Sequence, residues 1–163
     1  MNIHIKKAQL SDAEALRIYY TSLLDENIPY IRDNLPPTLE REKDFINFLL
    51  ESSGDLLLAV DNSDIVGMLQ IERSSHYQEE HRMYIGLSVK KEYRGNGLGT
   101  RLLNKAKTWA SDNSILSIEL EVIETNPSIS LYKKLGYKTA GRVSNGFKVK
   151  DKYYDVLLMQ LEL

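Results

Sequence analysis

Three glycines stand at alternate positions in the stretch Arg94-Gly95-Asn96-Gly97-Leu98-Gly99, which lies between a strand-like and a helix-like segment. Glycine has no Cβ, so it lets the backbone approach a ligand closely and adopt left-handed conformations. Backbone N–H groups at the start of a helix can converge on an anion, and the helix dipole adds partial positive charge there. The spacing therefore favours a backbone site for a pyrophosphate group, whereas one glycine alone would indicate a tight turn.

Two well-known phosphate-binding motifs do not account for these glycines. The P-loop pattern G-x-x-x-x-G-K-[ST] does not occur in the chain. The dinucleotide fingerprint G-x-G-x-x-G begins correctly at Gly95 and Gly97 but has Thr100 in place of its third glycine. The loop also follows the fourth strand-like segment, whereas that fingerprint follows a first strand. A different phosphate-binding arrangement is therefore indicated.

The elements around the loop can be predicted from hydrophobic periodicity. Alternating apolar residues predict strands, and apolar residues three and four positions apart predict helices. Strands are expected over 2–8, 55–61, 65–73, 82–89 and 115–123, with two more in 137–163; helices are expected after Ser11, over 38–52, from Leu98, and over 126–136. This order, β-α-α-β-β-β-α-β-α-β-β, predicts a mixed sheet and an α+β fold, not a doubly wound one.

Three helices carry more specific predictions. Ser11 followed by Glu14 is the pattern of a capping box, so the first helix is expected to begin there. In the second helix, five apolar residues are expected to face inward: Leu39, Phe45, Ile46, Leu49 and Leu50. In the fourth, Asn126 and Pro127 favour a helix start and Gly136 favours a helix end.

The overall composition predicts one soluble globular domain over residues 1–163. Hydrophobic residues make up 42% and charged residues 27% of the 163 positions, which suffices for a packed core. A net charge of −2 gives no indication of nucleic acid or an anionic membrane as partner. The absence of cysteine excludes disulfides, thiolate metal sites and a cysteine nucleophile, and no metal is expected. No segment has the character of a signal peptide or membrane span, so a cytoplasmic location is expected.

The glycine stretch and a second motif together resemble the GNAT superfamily of acyl-CoA-dependent N-acetyltransferases. Arg94, Gly97 and Gly99 match the family signature R/Q-x-x-G-x-G/A. The downstream stretch NPSISLYKKLGY, residues 126–137, is similar to the second hallmark, an Asn followed by a helix bearing L-Y-x-K-L-G-[FY]. The N-terminal stretch IHIKKAQLSDAEAL is similar to the first strand and helix of the family. The resemblance covers nearly the whole chain in the right order.

This resemblance implies a fold and a cosubstrate. The fold is a mixed, mostly antiparallel central sheet of about seven strands flanked by about four helices, in which the strand carrying Val89 splays from residues 120–123 to form an acyl-CoA cleft. Acetyl-CoA is the implied cosubstrate, with its pyrophosphate on backbone amides of Arg94, Gly95, Asn96, Gly97, Leu98, Gly99 and Thr100. The pantetheine arm would bond to backbone groups of Leu87, Ser88 and Val89 like an added strand, and an N–H of that segment would face the thioester oxygen.

Two further residues take roles by the same resemblance. Tyr132 is the implied general acid, because a phenol can protonate the thiolate that leaves when an amine attacks a thioester. The alternative is that Tyr132 packs at the base of its helix, where Leu131 and Leu135 also serve the core. Asn126 is expected to cap that helix and to contact coenzyme A. Its spacing to Tyr132 is six residues where relatives commonly have seven, so Thr125 and Asn126 both stay open for that contact.

The group that removes a proton from the amine is left unassigned. An alkyl ammonium with a pKa of about 10.4 leaves roughly one molecule in 10³ neutral at pH 7, so a base is needed. Many relatives place a Glu on the strand before the signature, but the comparable position here is Tyr84. The remaining candidates are Glu72, Glu119, Glu121 and His81.

The acceptor amine also stays open. A primary amine of a small molecule is the leading expectation, with a protein N-terminus or lysine as one alternative and a non-catalytic acyl-CoA-binding module as another. The segments 25–37 and 74–81 are expected to select the acceptor, and their mild acidic bias suits a cationic amine. The length of the acyl group and the oligomeric state are not determined, and a homodimer is one of the open states.

Overall fold

The predicted order of elements is confirmed in the computed structural model, which describes residues 2–30 and 37–163. Seven strands occur in this part of the chain: β1 (Ile3–Lys7), β2 (Asp55–Asp61), β3 (Asp64–Arg73), β4 (Arg82–Val89), β5 (Ser117–Ile123), β6 (Lys138–Val149) and β7 (Lys152–Glu162). Four α-helices accompany them: α1 (Ala13–Asp25), α2 (Leu39–Glu51), α3 (Leu98–Asp112) and α4 (Ile129–Lys134). The fold is therefore α+β, as the periodicity predicted.

All seven strands form one sheet in the order β1-β2-β3-β4-β5-β7-β6. Every neighbouring pair is antiparallel except β4 and β5, which are parallel. These two strands pair at only three positions, where residues 82–84 face residues 117–119. From there β4 continues to Val89 and β5 continues to Ile123 without pairing with each other. The expected splayed strand pair is therefore present.

Apolar side chains cover both faces of the sheet. On one face, α3 buries Leu98, Leu102, Leu103, Ala106 and Ala110. On the other face, α1 and α2 contribute a cluster that includes Leu16, Tyr19, Leu23, Ile46 and Leu49. Burying a Leu or Ile side chain is worth about 1.5–3 kcal/mol, so these stripes hold the helices on the sheet.

The predicted capping box at the start of α1 is wrong. A short 3₁₀ turn over Leu10–Asp12 precedes the helix. Gln9 N–H donates to Asp12 Oδ2 at 2.8 Å, so Asp12 provides the reciprocal contact earlier in the chain than expected. Ser11 lies inside that turn and does not begin the helix, because α1 starts at Ala13, directly after the turn.

The buried stripe of α2 also differs from the predicted one. Ile46 and Leu49 are buried as predicted, and they share the stripe with Glu42. Leu39 is 41% exposed, since it is the first residue of the helix and has no preceding turn to pack beside. Leu50 is 48% exposed, because it lies about 100° around the helix axis from Leu49.

The two segments expected to select the acceptor are described to different extents. Positions 31–36 of the segment 25–37 lie outside the described residues. The segment 74–81 is described and contains a short 3₁₀ turn at Tyr77–Glu79. Within the described ranges, no helix is long and apolar enough to cross a membrane.

Candidate active site

Two glycines of the loop adopt the left-handed backbone that glycine tolerates best. Gly95 has φ 76° and Gly97, which directly precedes α3, has φ 78°. A Cβ added at either position would meet no other heavy atom within 4 Å. The loop therefore presents a bare backbone surface.

This surface carries several backbone donors. Within residues 2–30 and 37–163, the N–H groups of residues 95–100 make no backbone hydrogen bond of ordinary length and angle. The first bond of α3 runs from Arg101 N to Gly97 O at 3.0 Å. Unpaired N–H groups at a helix start, together with the helix dipole, favour an anionic group such as a phosphate. The geometry thus suits the pyrophosphate role that the resemblance implies.

Arg94 braces the loop against α1. Its N–H donates to Lys91 O at 3.2 Å, so that amide is already engaged. Its side chain donates from Nε to Val89 O at 2.8 Å and from Nη2 to Glu26 at 2.6 Å. The second oxygen of Glu26 accepts the Lys91 N–H at 3.2 Å. The Arg94 side chain therefore holds the loop against α1, and the free loop amides begin at Gly95.

Gly99 differs from the other two glycines because it lies close to neighbouring side chains. A Cβ at Gly99 would lie 3.1 Å from Leu131 Cδ2 and 3.7 Å from Leu87 Cδ2. The missing side chain lets the first turn of α3 approach α4 and β4. Since α4 carries Tyr132, Gly99 helps to set the separation between the glycine loop and that tyrosine.

The free edge of β4 has a defined alternation of hydrogen-bonding groups. Lys90 N–H donates to Val66 O on the β3 side at 3.0 Å, so every second residue back along β4 also bonds to β3. Ser88 belongs to that set. The N–H and C=O groups of Leu87 and Val89 therefore point the other way, toward the gap between β4 and β5. The Val89 C=O already accepts Arg94 Nε at 2.8 Å. The N–H and C=O of Leu87 and the N–H of Val89, and not the backbone of Ser88, can therefore bond to an extended arm laid in the gap.

Ser88 uses its side chain to tie β4 to α1. Its Oγ shares a hydrogen bond of 2.8 Å with Tyr19 Oη. Burial raises the pKa of the Tyr19 phenol, so this group stays neutral. The contact fixes α1 beside the gap.

A cleft of about 430 Å³ opens where β4 and β5 separate. The polar and aromatic residues of its lining are Tyr20, Tyr30, Gln70, Glu72, Tyr84, Ser88, Glu121, Asn126, Tyr132 and Phe147. Four of the predicted site residues meet here, namely Leu87, Ser88, Asn126 and Tyr132. Val89 and residues 94–100 are not part of the lining, so the structure divides the predicted residues between the cleft and the glycine loop.

Tyr132 is buried at the wall of this cleft, with 6% of its surface exposed. Its ring packs edge-on against Tyr137, with ring centres 5.8 Å apart. Burial raises the pKa of the Tyr132 phenol, and a hydrogen bond with Ser128 offsets part of that rise. At neutral pH the phenol therefore holds its proton, as a general acid must. Packing and proton donation are compatible at this position.

Asn126 lines the cleft and also organises the start of α4. Its Oδ1 accepts the Ser128 N–H at 2.9 Å and the Ser128 hydroxyl at 2.6 Å. The Asn126 side chain therefore caps the turn that leads into the helix. Thr125 is exposed and outside the lining, and its carbonyl accepts Tyr30 Oη at 3.0 Å. Of the two residues left open, Asn126 is the one that faces the cleft.

The acidic candidates for a base fall into two groups. Glu119 accepts from Arg82 Nε and Nη2 at 2.7 Å each, and these bonds hold the pKa of Glu119 below its usual value. Neither Glu119 nor His81 lines the cleft. Glu72 and Glu121 do line it. The cleft therefore contains two candidate carboxylates, one on β3 and one on β5.

Tyr84 cannot replace the missing glutamate of β4 as a base. Arg82 Nη2 donates to Tyr84 Oη at 2.8 Å. Burial, and after it the negative charge of Glu119, raise the pKa of Tyr84, so the phenol keeps its proton. Among the residues that the structure describes, no three His, Asp or Glu side chains are grouped as metal ligands would be.

Several cleft residues were not identified from the sequence. Tyr20, Tyr30 and Phe147 supply aromatic walls from three separate segments, and Gln70 lies on β3. Gln70 does have a local signal, because strand alternation places it on the same face as Glu72. The aromatic residues have none, since only the tertiary fold brings their segments together.

Comparison with known proteins agrees with this arrangement. The model of the acetyltransferase (GNAT) family matches residues 19–137. The uncharacterised N-acetyltransferase YhfO of Bacillus subtilis (strain 168) is 28% identical over 140 residues, which cover 83% of this chain and 90% of the relative. An N-alpha-acetyltransferase of Sulfurisphaera tokodaii is 25% identical over 144 residues, which cover 82% of this chain and 79% of the relative.

Solved structures share the fold along nearly the full chain. A GNAT-family acetyltransferase from Streptococcus pneumoniae is 26% identical with a TM-score of 0.88, and the match covers 99% of this chain and 100% of that one. A phosphinothricin acetyltransferase from Sinorhizobium meliloti, solved in complex with AcCoA, is 17% identical with a TM-score of 0.89, covering 100% and 89%. This second likeness concerns the fold alone. Because the family match spans the glycine loop, the cleft strands and the Tyr132 helix, the chain belongs to the acetyltransferase (GNAT) family.

Proposed function

We propose that this acetyltransferase moves the acetyl group of acetyl-CoA to a primary amine of a small molecule by direct attack on the thioester. Acetyl-CoA supplies an activated acyl thioester when bound. The observation that carries the choice of a small acceptor is the bond from Tyr30 Oη to Thr125 O at 3.0 Å. It joins the segment after α1 to the connection between β5 and α4, and so walls one side of the cleft. A protein substrate would instead require an open groove.

Two sets of backbone groups hold the cosubstrate in this proposal. The free amides of residues 95–100 take the pyrophosphate, supported by their lack of ordinary backbone hydrogen bonds in the described chain. The N–H and C=O of Leu87 and the N–H of Val89 bond to the pantetheine arm along the free edge of β4, since the Val89 C=O is held by Arg94. The Leu87 N–H also faces the gap in which the thioester carbonyl would lie. One such donor is typically worth roughly 10²–10³ in rate.

Proton transfers complete the reaction. A C–N bond forms as the thioester C–S bond breaks, and two protons leave the ammonium form of the acceptor. One proton goes to a base before the nitrogen attacks. The nitrogen loses the other after the attack, and that proton replaces the one that the general acid gives to the departing thiolate. Tyr132 donates that proton to the thiolate, since its raised pKa keeps the phenol neutral at pH 7.

An assay of thiol release across a panel of acceptors tests this function. The panel contains polyamines, amino acids, aminoglycosides and peptides with free N-termini, each with acetyl-CoA. We expect turnover with at least one small amine and a lower kcat/KM for every peptide. Acetyl-CoA binding without turnover of any acceptor would contradict transfer to an amine.

A second candidate function is acetylation of a protein N-terminus. It is favoured by one observation, the similarity to the N-alpha-acetyltransferase of Sulfurisphaera tokodaii. In that case the peptides of the panel would be the preferred acceptors. Turnover confined to peptides would replace the small-molecule proposal with this one.

A further inference from the structure

We propose that Glu72, on β3, binds the ammonium group of the acceptor and takes its proton before the nitrogen attacks. The inference rests on the proposed transfer to an amine and adds the missing base to it. It moves this role from β4, where the comparable position is Tyr84, to the neighbouring strand. Glu72 lies directly opposite Tyr84 in the pairing of β3 and β4.

Strand register places Glu72 beside the point where β4 and β5 stop pairing. Tyr84 is the last residue of β4 that pairs with β5, so Glu72 stands beside the point where the cleft begins. In an antiparallel pair, directly opposed side chains lie on the same face of the sheet. Glu72 and Tyr84 therefore project into the cleft together, and both belong to its lining.

Gln70 directs the Glu72 carboxylate along the cleft. Gln70 Nε2 donates to Glu72 Oε1. Gln70 itself lies opposite Gly86, and a Cβ at Gly86 would stand 3.4 Å from Gln70 Oε1. The Gln70 amide thus spans from the β4 backbone to Glu72. The contact holds the Glu72 carboxylate beside Gln70 in the lining of the cleft, which Leu87 also lines.

The other titratable groups that face this region fit the role less well. Burial raises the pKa of Tyr20 on α1 to about 12, and the phenols of Tyr84 and Tyr132 also have raised pKa values. Groups that hold their protons at neutral pH cannot accept one from an ammonium. The Tyr30 hydroxyl donates to Thr125 O. Two carboxylates are left, on β3 and β5.

Glu72 is preferred over Glu121 because of its surroundings. Glu121 is exposed on β5, whereas Glu72 is half-buried, and charge pairing is stronger away from water. Glu72 has no ion pair within the described residues. Arg82 is the cation near the point where β4 and β5 separate. It pairs with Glu119 at 2.7 Å and lies 3.5 Å from Glu79.

The cleft lining also selects for a positive acceptor. It contains two carboxylates and no Lys, Arg or His side chain among the residues that the structure describes. An alkyl ammonium enters such a site in its common charged form, which is about 10³ times more abundant than the neutral amine at pH 7. One N–H proton then passes to a Glu72 carboxylate oxygen. The nitrogen lone pair that is released forms the new C–N bond.

The variant Glu72→Gln tests the inference, since it keeps the shape of the side chain and removes its basicity. With an acceptor identified by the panel, we expect kcat/KM to fall by about 10²–10⁴ at pH 7. The loss should shrink as the pH rises, because the fraction of neutral amine grows about tenfold per pH unit below the amine pKa. The loss should also shrink with an amine of low pKa that is already neutral at pH 7. The matched control is Glu162→Gln, an exposed strand glutamate outside the lining, which should keep the wild-type profile.

Binding of acetyl-CoA and the thermal unfolding midpoint of Glu72→Gln report whether the fold and the cosubstrate site are intact. We expect both to match the wild type. An unchanged rate and pH profile in Glu72→Gln, or a loss seen only in Glu121→Gln, would overturn the role of Glu72 while leaving transfer to an amine in place. No transfer by the wild type to any amine would overturn the proposed function, and the role of Glu72 with it.

Discussion

Arg82 and Glu119 join β4 to β5 through two hydrogen bonds of 2.7 Å at the position where the pairing of these strands ends. Ser117 Oγ donates to the same carboxylate at 3.1 Å, and Gln160 Nε2 donates to that hydroxyl at 2.8 Å. These four polar side chains thus join β4, β5 and β7 at the end of the paired segment. Beyond it the two strands diverge and the cleft opens.

The pairing of Arg82 with Glu119 should make a measurable, pH-dependent contribution to stability. A double-mutant cycle with Arg82→Met and Glu119→Gln is expected to give a coupling of about 0.5–3 kcal/mol in the free energy of unfolding at pH 7. Arg82 lowers the pKa of Glu119 from its usual 4.5 in the folded state. The stabilisation is therefore complete above that value and is lost as the pH falls through the lowered folded pKa. Chemical denaturation at pH 7 and at about pH 3 measures this, and equal coupling at both would contradict it.

Loss of the Tyr132 hydroxyl should slow chemistry without weakening cosubstrate binding. We expect Tyr132→Phe to lower kcat by at least about tenfold and to leave the Kd of acetyl-CoA nearly unchanged. Because burial raises the pKa of this phenol above its usual value, no loss of activity from its ionisation is expected at neutral pH. Steady-state kinetics and a binding titration provide the test. If kcat is unchanged while chemistry limits the rate, Tyr132 is not the acid.

Tyr137→Phe is the matched control for that experiment and carries its own prediction. Tyr137 packs on Tyr132 but does not line the cleft, and its buried Oη has no hydrogen-bond partner among the described residues. A buried unsatisfied hydroxyl costs roughly 1–3 kcal/mol. Removing it should raise the free energy of unfolding by about 1 kcal/mol with kcat unchanged. A less stable Tyr137→Phe protein would show that the hydroxyl does have a favourable contact.

Substitutions at two glycines of the loop should have different consequences. Gly97→Val places a branched side chain on a backbone of φ 78° and on the open surface proposed to hold the pyrophosphate, so acetyl-CoA binding should be abolished. Gly99→Ala places a methyl 3.1 Å from Leu131 and should cost about 1–3 kcal/mol in stability, with a smaller change in the Kd of acetyl-CoA. Calorimetric titration and thermal unfolding separate the two effects. Normal binding by the Gly97→Val protein would remove the pyrophosphate role of the loop.

Local patterns in the sequence were sufficient for the order of the elements and for the conformation of the glycine loop. Strand alternation and helix periodicity depend on neighbours a few residues apart, so β4, α3 and their junction follow from residues 82–112 alone. The same reasoning failed at Ser11, Leu39 and Leu50. There the outcome depends on the 3₁₀ turn that precedes α1 and on which side of α2 faces the sheet, and local spacing does not contain that information.

Pairings between distant segments were decided only by the tertiary structure. Arg82 and Glu119 are 37 residues apart in the chain, and Arg94 and Glu26 are 68 apart. The direction in which Leu87 presents its N–H depends on the register of β4 against β3. The interpretation of Glu72 as the base likewise needs the opposition of Tyr84 and the contact with Gln70. Such pairings are set by strand order and by burial of the whole core. The motifs of the sequence were therefore enough to indicate the cosubstrate, whereas only the folded sheet determines which side chains surround the acceptor.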